Sequence, residues 1–121
     1  MRNKISELRG SLSTLGSVIQ FKQKELVLLP YPFTNQEGSK VRPEIIISND
    51  NFNVRCQDCV MIPLTTVIKD EPFSLMINQE DLASGKLLKP SRIRIDKIFS
   101  INKNFIMMQI GKISDKTFSK I

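Results

Sequence analysis

The sequence predicts a mainly β domain, a small closed antiparallel barrel of five to six strands with short peripheral helices. Three observations lead there. From Lys22 onward the apolar residues come in runs of strand length rather than at helical spacing. Those runs are rich in Val, Ile and Leu and are separated at short intervals by Pro, Gly, Asn and Asp. The chain has 121 residues, the length of one domain, and is large enough to bury a core without disulfides or metal.

Residues 1–20 read as an extension to a barrel domain at 21–121. Ile5, Leu8, Leu12, Leu15 and Ile19 are spaced three and four apart, one stripe of an amphipathic helix. Gly10 and Gly16 lie off the stripe, and each weakens a helix by about 1 kcal/mol relative to alanine. A docked helix, a frayed tail and a targeting peptide all fit this pattern. The spaced apolar residues exclude a secretory signal. The preferred reading is a helix that needs a partner surface.

The strands follow in order. ELVLL (Glu25–Leu29) stops at Pro30-Tyr31-Pro32, where prolines force an edge or an exit. TNQEGSK (34–40) is a polar loop. Val41–Ser48 is β-branched and apolar, and Asn49-Asp50-Asn51 breaks it. Its alternation sets Val41, Ile45 and Ile47 toward the core and Arg42, Glu44, Ile46 and Ser48 on the other face. Cys59–Leu64 is a second apolar run, interrupted by Pro63. Phe73, Leu75 and Ile77 alternate with Ser74, Met76 and Asn78, as in a strand with one wet face. DLASGK (81–86) reads as one helical turn ended by glycine. Arg92–Ile101 alternates cleanly until the apolar phase slips at Ile98, which predicts a bulge or sharp bend. Phe105–Ile110 is the last strand, and Ser114 with Asp115 caps a short terminal helix.

Composition narrows the chemistry. The formal net charge is +6, from 18 basic and 12 acidic residues. Such a domain points to acidic partners, nucleic acid ahead of a membrane surface or an acidic protein; solubility alone predicts the same charge. There is no histidine, so Ser-His and Cys-His nucleophilic sites are excluded and the commonest metal ligand is missing. Cys56-Gln57-Asp58-Cys59 lacks the two further ligands that tetrahedral zinc requires, and it precedes a strand rather than opening a helix. It reads as two reduced thiols at a strand entrance. No apolar run approaches the length needed to cross a bilayer.

Four stretches, in order, carry a resemblance: ELVLLPYPFTNQEGSKVRPEIIISND, VMIPLTT, KPSRIRIDKIFSI and IGKISDKTFSKI. With them the chain resembles the MazF/PemK toxins of type II toxin–antitoxin systems. The resemblance implies an SH3-like barrel, usually dimeric and cytoplasmic. It implies metal-independent, cofactor-free cleavage of single-stranded mRNA at short sequences, leaving cyclic phosphate and 5′-hydroxyl ends, with an antitoxin protein as partner. The catalytic arginine before the proline falls on Arg42. The catalytic threonine falls on Thr65, with Thr66 the near alternative. The RNA-binding surface takes in Phe33, Thr34, Ser39, Lys40, Thr66, Lys69, Ser91 and Arg92. A toxin of the same fold that inhibits a topoisomerase, like CcdB, and an inactive basic SH3-like module are the rival readings; neither needs the Arg42–Thr65 pair.

The residues suit the chemistry. RNA carries its own nucleophile, the 2′-hydroxyl, so positioning and charge stabilisation are the main requirements. A guanidinium offers a planar fork to phosphate oxygens, and a threonine hydroxyl adds a further donor. Arginine is a poor general base, so Arg42 is assigned to charge stabilisation and its part in proton transfer stays open. Phe33 and Tyr31 can stack on a splayed base or anchor the loop. Lys86, Lys89 and Arg94 share the loop and polar-face pattern of phosphate contacts, which a solvated face also gives. Glu44 departs from the family's pattern, where this position is more often small or aliphatic. An anion there can orient Arg42 or accept a proton, or it can neutralise the charge RNA needs.

Overall fold

The third strand of the sheet organises the molecule. The computed structural model describes residues 20–30 and 41–121; the expected N-terminal helix and the loop bearing Tyr31, Phe33, Thr34, Ser39 and Lys40 lie outside them. The strands are β1 (Glu25–Pro30), β2 (Val41–Ile46), β3 (Asp58–Thr65), β4 (Ser74–Ile77), β5 (Leu82–Gly85), β6 (Ser91–Arg94), β7 (Phe99–Asn102) and β8 (Met108–Ile113). Helix α1 (Asp50–Arg55) precedes β3 and α2 (Asp115–Phe118) follows β8. The sheet runs β4-β6-β3-β2-β1-β8-β5, every pairing antiparallel, curled into a half-barrel, with β7 also on β3.

One edge of β3 is shared by two partners. Asp58–Met61 pairs with β7, then Leu64 and Thr65 pair with β6. Pro63, which has no N–H to donate, falls at this handover. The other edge of β3 pairs with β2, from Ile46↔Met61 to Glu44↔Pro63, and no further. Beyond that rung β2 keeps only its β1 partner, Arg42 lying opposite Leu29. Pro43 is the next residue of β2, and it too lacks a donor.

The sheet is buried on both faces at its centre. Leu26, Ile45, Ile62, Leu64, Ile77, Leu87, Ile93 and Ile113 form one apolar cluster. Val27, Leu29, Ile46, Cys59 and Met61 form a second, with Phe21, Phe99, Ile101 and Ile106 packed against it. Neighbouring residues of a strand thus feed opposite clusters: Leu26 and Val27, Ile45 and Ile46, Ile62 and Met61. Each such side chain contributes about 1.5–3 kcal/mol on burial. This explains the continuous apolar runs of β1, β2 and β3, since a strand covered on both sides has no wet positions. It also revises the expected facing of β2. Ile45 and Ile47 do pack on the first cluster, whereas Val41 is exposed and the Arg42–Ile46 face is a second core.

The mainly β, antiparallel architecture matches the expectation; the strand count rises to eight among the described residues for two reasons. The Arg92–Ile101 run is cut into β6 and β7 by a 3₁₀ turn at Ile95–Lys97, the bend that the phase slip predicted. The expected helical turn at 81–86 is instead a 3₁₀ turn, Gln79–Asp81, followed by β5. Asn78 and Asp81 close a capping box that ends after one turn. Gly85, at φ 86°, then crosses β8 so closely that a Cβ on it would stand 2.2 Å from the Cα of Gly111. That backbone contact belongs to a strand.

The Asn49-Asp50-Asn51 break becomes the start of α1, with the Asn49 side chain accepting from the Phe52 N–H at 2.8 Å. Ser48 Oγ bonds Asn53 Oδ1 and accepts from the Val60 N–H, while Asn53, buried, donates to the Ser48 carbonyl. The polar end of the β2 segment therefore ties α1 to β3. Ser114 caps α2 as expected, accepting from the Thr117 N–H at 3.1 Å. The last strand starts later than expected, at Met108, because Asn102 caps a 3₁₀ turn over Lys103–Phe105.

Candidate active site

Arg42 and Thr65 stand where the β2–β3 ladder has opened. Both lie two residues past its last rung, Glu44↔Pro63, so a continued register would set them opposite each other. Each is instead held by its outer neighbour, Arg42 by Leu29 of β1 and Thr65 by Arg92 of β6. The two prolines at this point, Pro43 and Pro63, are why the sequence opens here: neither can donate across the gap.

Two pockets adjoin the opening, and Arg42, Leu64 and Thr65 line both. The first, of about 430 Å³, is completed by Pro63, Arg94, Lys97 and Phe99. It joins three cationic side chains, one aromatic ring and one hydroxyl. The second, of about 500 Å³, has Leu28, Val41, Pro43, Leu87, Leu88 and Ile110 as an apolar floor, with Lys86, Lys89, Ser91 and Thr66 also lining it. One concavity therefore suits an anionic backbone and the other an apolar group with an acidic surround.

The Thr65 hydroxyl accepts a 3.1 Å hydrogen bond from the Val67 N–H, which orients its oxygen and leaves its proton to donate. Thr66, the alternative, lines only the apolar pocket. Arg94 is braced by Asp96 through two hydrogen bonds, at 3.1 and 2.9 Å. This bond holds the Asp96 carboxyl below its usual range. Lys97 is exposed.

Ser91, Arg92 and Lys69 do not line the cationic pocket. Arg92 is 3% exposed; its Nε donates to the Val67 carbonyl at 3.2 Å and its Nη1 meets Glu71 at 3.3 Å. It ties the segment after Thr65 to β6 rather than facing outward. Ser91 is buried and donates to the Lys89 carbonyl. Lys69 is exposed, 3.7 Å from Glu71. Lys97 and Phe99 were not singled out in the sequence. Their signal was present, since the phase slip at Ile98 marks the turn that brings both to the cleft.

Glu44 lies behind the cationic pocket. It is wholly shielded from solvent, between Val27 of β1 and Pro63 of β3, and neither carboxyl oxygen accepts a hydrogen bond. Burial pushes its pKa up to about 8, against the pull of the Arg42 charge. The Glu25 carboxyl is also raised by burial, partly offset by the Lys22 N–H it accepts. Burial pushes the Cys59 thiol up to about 11, and Cys56 and Cys59 are both free thiols. Among the described residues, no group of three or more Cys, Asp or Glu side chains is gathered to hold a metal ion. No helix of these residues is long and apolar enough to cross a membrane.

Comparison with known proteins adds to this geometry. The family model of PemK-like, MazF-like toxins of type II toxin–antitoxin systems matches residues 22–121. No curated protein sequence matches the chain. Among solved structures, an endoribonuclease in complex with its cognate antitoxin, from a mycobacterial species, superposes with a TM-score of 0.68 at 19% identity, covering 84% of this chain and 86% of that one. The MazE–MazF complex from Deinococcus radiodurans gives a TM-score of 0.67 at 17% identity, covering 84% and 89%. The Mycobacterium tuberculosis toxin MazF-mt6 gives 0.61 at 17%, covering 76% and 82%. At these identities the likeness is one of fold.

Proposed function

The chain belongs to the PemK-like, MazF-like toxins of type II toxin–antitoxin systems, and from that premise we propose that it is an endoribonuclease that cuts single-stranded mRNA without a metal ion. The observation that carries the reading is the placement of Arg42 and Thr65 across the opened β2–β3 ladder, lining one pocket with Arg94 and Lys97.

In this reading the scissile phosphate seats on Arg42. The RNA 2′-hydroxyl attacks the phosphorus and gives up its proton; the new O2′–P bond forms as the P–O5′ bond breaks, and the leaving O5′ takes a proton. The products are a cyclic phosphate and a 5′-hydroxyl end. Arg42 offsets charge building on the phosphoryl oxygens, and Thr65 donates its hydroxyl proton to the same centre. Arg94 and Lys97 hold neighbouring phosphates, and Phe99 offers a face to a base. No described side chain is an obvious base for the 2′-proton, so substrate alignment and charge stabilisation carry most of the acceleration.

The adjoining apolar pocket, with Lys86 and Lys89 among its lining, fits an antitoxin segment with apolar anchors and acidic neighbours. Solved neighbours of the same fold are toxin–antitoxin complexes. A segment seated there would touch Arg42 and Thr65 and so block the RNA. A homodimer completes the reading.

The test is incubation of the purified protein with mixed-sequence single-stranded RNA in EDTA, followed by end analysis. Cleavage leaving 5′-hydroxyl ends, lost in Arg42→Ala, is expected. Growth arrest in cells with no RNA cleaved in vitro would instead favour a toxin that binds a protein target.

A further inference from the structure

A family-level mechanism has no use for Glu44, yet its position is specific. Among the described acidic residues it alone has 0% exposure. Strand alternation puts it on the Arg42 face of β2. Its cross-strand neighbour Pro63 is itself a wall of the cationic pocket. A carboxyl in that place has no hydrogen-bond donor to compensate its charge, and an uncompensated buried carboxylate is costly.

Among the described residues, few charged groups compete for the Glu44 carboxyl. From β1 come Val27 beside it and Glu25 further along the strand; from β3 come Pro63, Thr65, Met61 and Cys59. From β6 and the turn after it come Arg94, engaged with Asp96, and Lys97, both lining the pocket. From β7 come Phe99 and Ile101, and from β8 Gln109, the partner of Val27. Among the described residues, Arg42 is the charged group whose field acts appreciably on the Glu44 carboxyl.

We propose that Glu44 is a proton-linked positioning residue: when a phosphodiester seats on Arg42, Glu44 carries a proton, so that the substrate is bound with net proton uptake. This rests on the reading of the cleft as a phosphodiester site. A phosphate at Arg42 adds a negative charge near Glu44 and neutralises the guanidinium that had favoured its ionised form. Both effects favour the neutral acid. An ionised Glu44 competes with the phosphate for the Arg42 charge, and a neutral one does not. By linkage, what the ligand does to the proton the proton does to the ligand.

The sign follows. Below about pH 8 the free protein already holds this proton and binding is unhindered. Above it the proton must come from solvent, and affinity falls by up to tenfold per pH unit.

The probe is a mixed-sequence single-stranded 2′-deoxyoligonucleotide, which carries the phosphates but not the nucleophile. Its affinity for wild type should drop about tenfold between pH 7 and pH 9, and calorimetry in buffers of different ionisation enthalpy should show about half a proton taken up per site at pH 8. Glu44→Gln, which keeps the shape without the titration, should lose most of that slope and that uptake. Any other group that titrates in this range is common to both proteins, so the difference isolates Glu44. Binding and RNA cleavage with the same pH profile in both proteins would overturn the proposal and leave the nuclease reading intact. Absence of both binding and cleavage at every pH would remove that reading, and the proposal with it.

Discussion

Arg42 and Thr65 are register mates on strands that no longer pair: both lie two residues beyond Glu44↔Pro63, on opposite lips of the same opening. The cleft is thus a failure of sheet pairing enforced by Pro43 and Pro63, and the two side chains proposed for catalysis sit on strands anchored by their outer neighbours. Arg42 is half-buried and outside both apolar clusters. Arg42→Ala is therefore expected to lower RNA cleavage by about 10³-fold while leaving the thermal melting curve close to wild type. Arg42→Lys should recover little, because an ammonium lacks the planar fork. Thr65→Ser should keep most activity and Thr65→Val little. Single-turnover cleavage of a labelled RNA, with circular dichroism melts in parallel, checks all four variants.

Glu44 makes the fold sensitive to alkali. Its pKa is about 8 in the folded protein, against an ordinary glutamate near 4.3 when unfolded. A pKa raised by folding means a stabilising contribution fully present below the unfolded value and lost as pH rises through the folded one. Wild type should thus lose on the order of a few kcal/mol between about pH 4 and pH 8 from this residue. Glu44→Gln should melt higher than wild type at pH 9 and differ little at pH 4. Glu25, also raised by burial, leaves a shallower slope of the same sign in the variant. Parallel slopes for the two proteins would show that Glu44 ionises without cost.

Why some of this was legible and some was not comes down to range. The turns, caps and prolines that punctuate the strands are local, so Ser114, Asn49 and the bend near Ile98 were readable or nearly so. The resemblance singles out Arg42 and Thr65, but that both line one cleft depends on pairings among β1, β2, β3 and β6, which no local pattern encodes. Alternation put Arg42 and Glu44 on one face correctly. It could not show that this face is a second core, because a two-sided strand and a one-sided one share the residues of one face. Arg92 and Arg94 look equivalent by alternation, yet one is locked under the segment after Thr65 and the other is braced at the cleft. The DLASGK segment looked helical because the reason for its extended shape, Gly111, lies far along the chain.

The β5–β8 crossing gives the sharpest expectation for the scaffold. Gly85 has φ 86°, and a Cβ there would sit 2.2 Å from the Ile110 carbonyl oxygen. Neither backbone can yield cheaply. Gly85→Ala should destabilise the protein by about 2 kcal/mol or more in urea unfolding. At Gly111 a Cβ would lie 2.8 Å from the Ser84 carbonyl oxygen without a strained φ, so Gly111→Ala should cost less. Equal midpoints for the two variants would mean that β5 detaches readily.

Arg92 and Lys97 allow a structural cation to be told from a proposed phosphate contact. Arg92 is buried against Val67 and Glu71, whereas Lys97 is exposed at the cationic pocket. Lys97→Ala is expected to weaken RNA binding similarly for all sequences and to reduce the slope of log affinity against log salt by about one. Arg92→Met fills much of the same space but releases the segment after Thr65. It should lower the melting temperature and slow cleavage while leaving the salt slope near wild type. The pair of slopes, measured by fluorescence anisotropy from 50 to about 200 mM salt, discriminates directly. A loss of slope in Arg92→Met would mean that its guanidinium leaves Glu71 to reach the RNA backbone.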